Sequence, residues 1–163
     1  KLQQALPFPL LGLDSDNGSE FINDTLYRYC LSEQITFTRS RPYQKNDQAH
    51  VEQKNWSVVR HTIGYDRLET PEELALLESI YSDLRLYINF FQPVLKLVGK
   101  LRVDGKTIHR YDQAMTPFRR VLALDSFPVQ IKARLADLYV HLNPVELRTS
   151  IDTKVALLWK VVR

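Results

Sequence analysis

Leu10-Leu11-Gly12-Leu13-Asp14-Ser15-Asp16-Asn17-Gly18 and, further on, Ile35-Thr36-Phe37-Thr38-Arg39 are the two stretches that decide the fold. The first is a short apolar run, Leu10–Asp14, closed by polar turn residues, which reads as a strand entering a turn. The second is β-branched and alternating, and it reads as a strand. Between them, from Glu20 to Gln34, Ile22, Leu26, Tyr29 and Cys30 recur at helical spacing. Strand, helix and strand in succession indicate an α/β arrangement.

Working outward, Ser40–Asn46 is a polar loop containing Pro42, and Asp47 is a good N-cap for a helix that runs to Ile63, where Gly64 can stop it. Thr70-Pro71-Glu72-Glu73 combines an N-cap, a proline at the first helical position and a capping-box glutamate. Leu74, Leu77, Ile80, Leu84, Tyr87, Ile88 and Phe91 then trace one apolar stripe, ended at Pro93. Leu97–Val103 and Thr107–Tyr111 flank Asp104-Gly105, a hairpin signal. Three helices follow. One starts at Thr116-Pro117, one carries Ile131, Leu135, Leu138 and Leu142, and one starts at Asn143-Pro144-Val145-Glu146 and carries Leu147, Ile151, Val155 and Leu158. The expected boundary lies near Phe91–Lys96, dividing the chain into residues 1–92 and an α-rich extension with a small hairpin, residues 93–163.

Composition narrows the functional classes. Apolar residues are 44% and charged residues 25% of the 163, which excludes collagen, a disordered tail and a low-complexity linker. A single cysteine excludes a disulfide framework and a cysteine-rich zinc module, and it fits a reducing cytosol. The apolar runs are too short to span a bilayer, and nothing has the pattern of a signal peptide. A start at Lys1, with Met115 as the only methionine, leads us to expect that the chain belongs to a longer translation product. The net charge of +3 is small, but its distribution is blocked. Residues 96–134 carry nine bases against three acids, whereas residues 69–84 carry five acids and no base. Basic zones separated by acidic ones suit a protein that grips a polyanion and keeps carboxylates for chemistry, although solvated helix faces produce such blocks too.

Asp16 and Glu52 are separated by 35 residues. A carboxylate on a turn after a strand and another on a helix beside the sheet would suit a divalent-cation site for phosphoryl transfer, because oxygen ligands match Mg²⁺ or Mn²⁺. With 19 acids in the chain, spacing alone is weak and a surface role is the default for either residue. The words around them say more. Asp16-Asn17-Gly18-Ser19-Glu20-Phe21, Ser40-Arg41-Pro42-Tyr43 and His50-Val51-Glu52-Gln53-Lys54-Asn55 together resemble the integrase catalytic domain of bacterial insertion-sequence transposases, the D,D-35-E group related to retroviral integrases. Asn89-Phe90-Phe91-Gln92-Pro93 through Tyr111-Asp112 resembles the region that follows the core in one such subgroup.

The resemblance implies a partial RNase H-like core followed by an α-rich extension, and metal-dependent cleavage and strand transfer of double-stranded DNA in transposition. Asp16 would match the family's second metal-binding aspartate and Glu52 its glutamate, both holding Mg²⁺ or Mn²⁺. Tyr43 and Gln48 fall where relatives have a mobile loop at the DNA end, and Lys45, Lys54 and Arg60 would contact phosphates. Arg119 and Arg120 add DNA contacts from the basic extension. Trp56 and Val59 stand where retroviral members place lysines. The family's first aspartate, with three strands and a helix, has no counterpart before Asp16, and Asp14 cannot replace a ligand from a different strand. The fragment alone is therefore expected to be inactive. Its parent is expected to be a homo-oligomer in the bacterial cytoplasm, associated with the nucleoid when bound to DNA. A non-catalytic DNA-binding or self-associating remnant, and an RNase H-like nuclease, remain as alternatives.

Other signals weigh less. His50-Val51-Glu52 lacks the Pro-Cys-x-x-Cys of a zinc deaminase, and Cys30 lies on an apolar stripe and reads as core. With five glycines, the chain has no phosphate-binding glycine loop.

Overall fold

The computed structural model describes residues 6–15, 24–40, 55–64 and 67–162. The chain is mixed α/β and mainly helical, and it forms two compact units that divide between Asp66 and Arg67.

In the first unit, β1 (Gly12–Ser15) and β2 (Thr36–Arg39) pair in parallel, with Gly12 opposite Thr36 and Ser15 opposite Arg39. Helix α1 (Asp24–Ser32) makes the crossover that parallel strands require. It ends in a Schellman motif: Gln34 N–H donates to the Leu31 carbonyl and Ile35 N–H to the Cys30 carbonyl. Gln34 sits at φ 56°, where a glycine is usual, and the buried pair Cys30 and Ile35 supplies the apolar contact that accompanies such an ending. Of the apolar spacing read from the sequence, Cys30 is buried and Leu26 half-buried, but Tyr29 is exposed. After β2, the residues Asn55–Arg60 wind as a π-helix and lead into α2 (His61–Ile63). The expected helix from Asp47 is therefore not α-helical over this stretch, and its beginning lies outside the described residues. A π-turn is wider than an α-turn, so face assignments made at 3.6 residues per turn do not carry across it. Gly64, at φ 88°, stops the helix as expected.

The second unit is built on α3 (Pro71–Phe91). The cap reads as the sequence predicts: Glu73 N–H donates to Thr70 Oγ1, and the Glu73 carboxylate accepts from the Thr70 and Glu69 N–H groups at 2.8 and 2.6 Å. Those backbone donors hold the Glu73 carboxyl below its usual value in spite of burial. Gln92 leaves the helix with ψ 110°, as a residue before proline must. Three helices complete the unit: α4 (Pro117–Leu122), α5 (Val129–Val140) and α6 (Pro144–Val161). Thr116 and Asn143 cap α4 and α6 through their side chains. Asn143→Ala should lower stability by about 1 kcal/mol, the usual worth of an N-cap, as read by urea denaturation.

Helix α3 packs along α6, burying Ile80 and Leu84 together with Ile151 and Leu158. Phe90, outside the stripe read from the sequence, is buried against Phe118 and Tyr139 with ring centroids 5.0 and 6.3 Å away, while Leu74 on that stripe is exposed. Helix α3 thus packs with the C-terminal helices, in the compact unit that begins at Arg67. The stripe announces a covered face, and α6 is what covers it.

One polar link crosses this packing. Asp83 accepts hydrogen bonds from Ser150 Oγ at 2.7 Å and from Lys154 Nζ. Burial pushes the Asp83 carboxyl up, but the hydrogen bonds from Lys154 and Ser150 and the Lys154 charge outweigh it, so the net shift is downward. A lowered folded-state value means that this contribution is complete above the unfolded value and is lost as pH falls through the folded one. The urea midpoint should be level from about pH 8 to 5 and fall below about pH 4. Asp83→Asn should make that acid limb shallower, and an unchanged limb would show that the pair is not linked to folding.

Between α3 and α4, β3 (Leu97–Val103) and β4 (Lys106–Tyr111) form an antiparallel ribbon. Asp104 and Gly105, at φ 48° and 78°, make the two-residue turn with both φ positive that matches the strand twist.

Candidate nucleic-acid interface

The β1–β2 pair ends on two buried serines. Ser40 N–H and Oγ both donate to the Ser15 carbonyl, at 3.0 and 3.3 Å. Asp16 is the next residue after Ser15 in the chain. One position earlier, Asp14 accepts a hydrogen bond from Thr38 Oγ1 at 2.7 Å, directly across the strand pair. Asp14 is therefore engaged within its own sheet. Asp16, Glu52, Tyr43, Lys45, Gln48 and Lys54 lie outside the described residues. Among the described residues, no group of three or more His, Cys, Asp or Glu is arranged to hold a metal ion.

The remaining cations expected at DNA differ in their availability. Arg60 is half-buried, with its guanidinium 3.5 Å from the Gly64 carbonyl. Arg119 is exposed on α4. Arg120 is committed elsewhere. Its guanidinium is paired with Asp112, with Nη2 3.1 Å from Oδ1, and Nη2 also donates to the Val94 carbonyl at 2.7 Å. Asp112 in turn accepts from Lys96 N–H at 2.7 Å. The hydrogen bond from Arg120 and that from the Lys96 backbone hold the Asp112 carboxyl below its usual value, and Asp112 raises that of Arg120. This clamp ties α4 to the foot of the ribbon, where Val94 and Met115 exchange backbone hydrogen bonds. Arg120 is a structural residue in this arrangement.

Charge counting along the chain did not single out the ribbon itself. Lys100, Arg102, Lys106, His109 and Arg110 are all exposed on it. Paired positions in an antiparallel ladder share a face. The pairs Lys100↔His109 and Arg102↔Thr107 lie on one face, and Leu101↔Ile108 and Val103↔Lys106 on the other. Strict two-residue alternation around Asp104-Gly105 is the signal in the sequence that separates these sets.

No helix among the described residues is long and apolar enough to cross a membrane. No family model matches the chain, and no solved structure matches it. The chain is similar to uncharacterized protein y4rM of Sinorhizobium fredii (strain NBRC 101917 / NGR234), 46% identical over 114 residues. That alignment covers 70% of this chain and 33% of the relative, so the similarity concerns about one third of that longer protein.

Proposed function

We propose that this chain is part of the catalytic region of a D,D-35-E transposase with an RNase H-like core, which cleaves and joins DNA phosphodiesters with the help of divalent cations. The observation that carries the reading is the parallel β1–α1–β2 unit, with Asp16 following the last residue of β1. In open α/β sheets, ligands are met beyond the carboxyl ends of the strands. The donor chemistry fits the cation: Asp16 and Glu52 offer only oxygen, as Mg²⁺ and Mn²⁺ prefer. When bound, such an ion polarises the phosphodiester and lowers the pKa of an attacking hydroxyl.

The chain's own residues do the rest. Asp16 and Glu52 would hold the cation by their carboxylates. Lys45, Gln48 and Lys54, with Tyr43, hold the DNA backbone in line for attack by water or a 3′ hydroxyl, and no protein nucleophile is required. The exposed basic ribbon favours a second reading, in which the chain binds DNA without cutting it. Joining of a labelled oligonucleotide to a duplex in Mg²⁺, by the full transposase proposed above, separates the two. Activity that disappears in Asp16→Asn and Glu52→Gln supports the enzyme, and activity retained in either variant overturns it.

A further inference from the structure

The β3–β4 ribbon is open on both sides. Every residue of β4 is exposed, and every residue of β3 except Gly99. Within Leu97–Tyr111 there are four Lys and Arg residues and a single acid, Asp104, which sits in the turn. No carboxylate among the described residues pairs with Lys100, Arg102, Lys106 or Arg110, whereas Arg28, Arg67, Arg120, Arg148 and Lys154 each meet one. Lysines along a free strand edge also discourage pairing with other chains. That use is served by either sign of charge, so it does not explain why the acids are excluded.

We infer that this ribbon docks on the phosphodiester backbone of duplex DNA through the face that carries Lys100, Arg102 and His109. Three observations converge on a polyanion of regular spacing. The donors on one face come from paired ladder positions, Lys100 opposite His109, with Arg102 two residues along the same strand. Residues two apart on a strand are separated by about 7 Å, comparable with the step between neighbouring phosphates. A two-stranded ribbon also fits the major groove, about 12 Å wide. The Asp112–Arg120 clamp fixes the foot of the ribbon to α4, so its direction is set before binding. The choice of DNA over another polyanion rests on the function proposed above, but the location of the contact rests on the ribbon alone.

Fluorescence anisotropy of a labelled 30-base-pair duplex with the full chain, across a salt series, tests this. The affinity should fall with salt by about 0.9 in log–log slope per phosphate neutralised. Lys100→Glu/Arg102→Glu should weaken binding at least about tenfold and reduce the slope by about two. Lys100→Gln/Arg102→Gln should fall between that variant and wild type, and both should keep the wild-type circular dichroism spectrum. Arg134→Glu/Lys160→Glu should cost less than about threefold, since these exposed charges lie off the ribbon. Unchanged affinity in the ribbon variants would overturn the inference while leaving the catalytic reading to stand on Asp16 and Glu52. So would failure of the wild-type chain to bind at low salt, or tighter binding to anionic phospholipid vesicles than to DNA. Conversely, strand transfer insensitive to Glu52→Gln would remove the catalytic reading and leave a salt-dependent, ribbon-dependent interaction intact.

Discussion

On the proposed catalytic reading, Glu52→Gln should reduce strand transfer to about a thousandth of the wild-type rate or less. The substitution keeps size and shape but removes the charge that a hard cation requires of its ligand. Stabilisation of the transition state by a bound cation is worth several kcal/mol, and each 1.36 kcal/mol is about tenfold in rate. Asp16→Asn should cost about as much. The double variant should be little worse than either single one, because residues that act as one unit are not additive. Single-turnover joining at saturating DNA isolates the chemical step. A residual rate above about a tenth of wild type in Glu52→Gln would exclude this carboxylate from the reaction.

The largest loss of stability should come from Leu158→Ala, at about 3–5 kcal/mol. Leu158 is fully buried in the seam between α3 and α6, and truncation leaves a cavity that two long helices cannot easily collapse. Ile80→Ala, in the same seam, should behave alike. The neighbouring Leu157 is 47% exposed, and Leu157→Ala should cost less than about 1 kcal/mol. Domains of this size are stable by only about 5–15 kcal/mol, so the seam variants should lose a large fraction of the total. Urea unfolding followed by circular dichroism measures all three, and equal losses at Leu157 and Leu158 would contradict the packing.

What could be read in advance depended on how local each signal was. Thr70-Pro71-Glu72-Glu73, Asp104-Gly105, Thr116-Pro117 and Asn143-Pro144 carry their chemistry within four residues, and each appears as the cap or turn expected. The partner of α3 was not legible, because an apolar stripe reports that a face is covered and not by which element. Phe90 was missed for a related reason. It serves a second face of α3, toward α4, which a single-stripe reading leaves out. Arg120 looked like any other base in a basic region until its pairing with Asp112 could be seen. The same limit concealed the ribbon: net charge along the chain cannot distinguish a cation held by a carboxylate from one facing outward. The α-helix expected before Gly64 failed on periodicity, since residues Asn55–Arg60 follow a wider turn. For the candidate metal ligands, the neighbouring words carried the reading, and a carboxylate separation of 35 residues would not have sufficed.

The pairing of α3 with α6 also has a consequence for synthesis on the ribosome. Ile80 and Leu84 emerge early in the second unit, yet the side chains that cover them, Ile151 and Leu158, are made at its end. At about 5–20 residues per second, the stretch between the two helices takes roughly 3–10 s to translate. Through that interval the side of this 21-residue amphipathic helix that α6 covers stays open, while its Phe90 end can already meet α4. The ribbon and α4, whose contacts are local, can form in the meantime. Helix α3 is therefore the segment on which a chaperone or a neighbouring nascent chain has the longest opportunity to act, and docking of α6 ends that exposure.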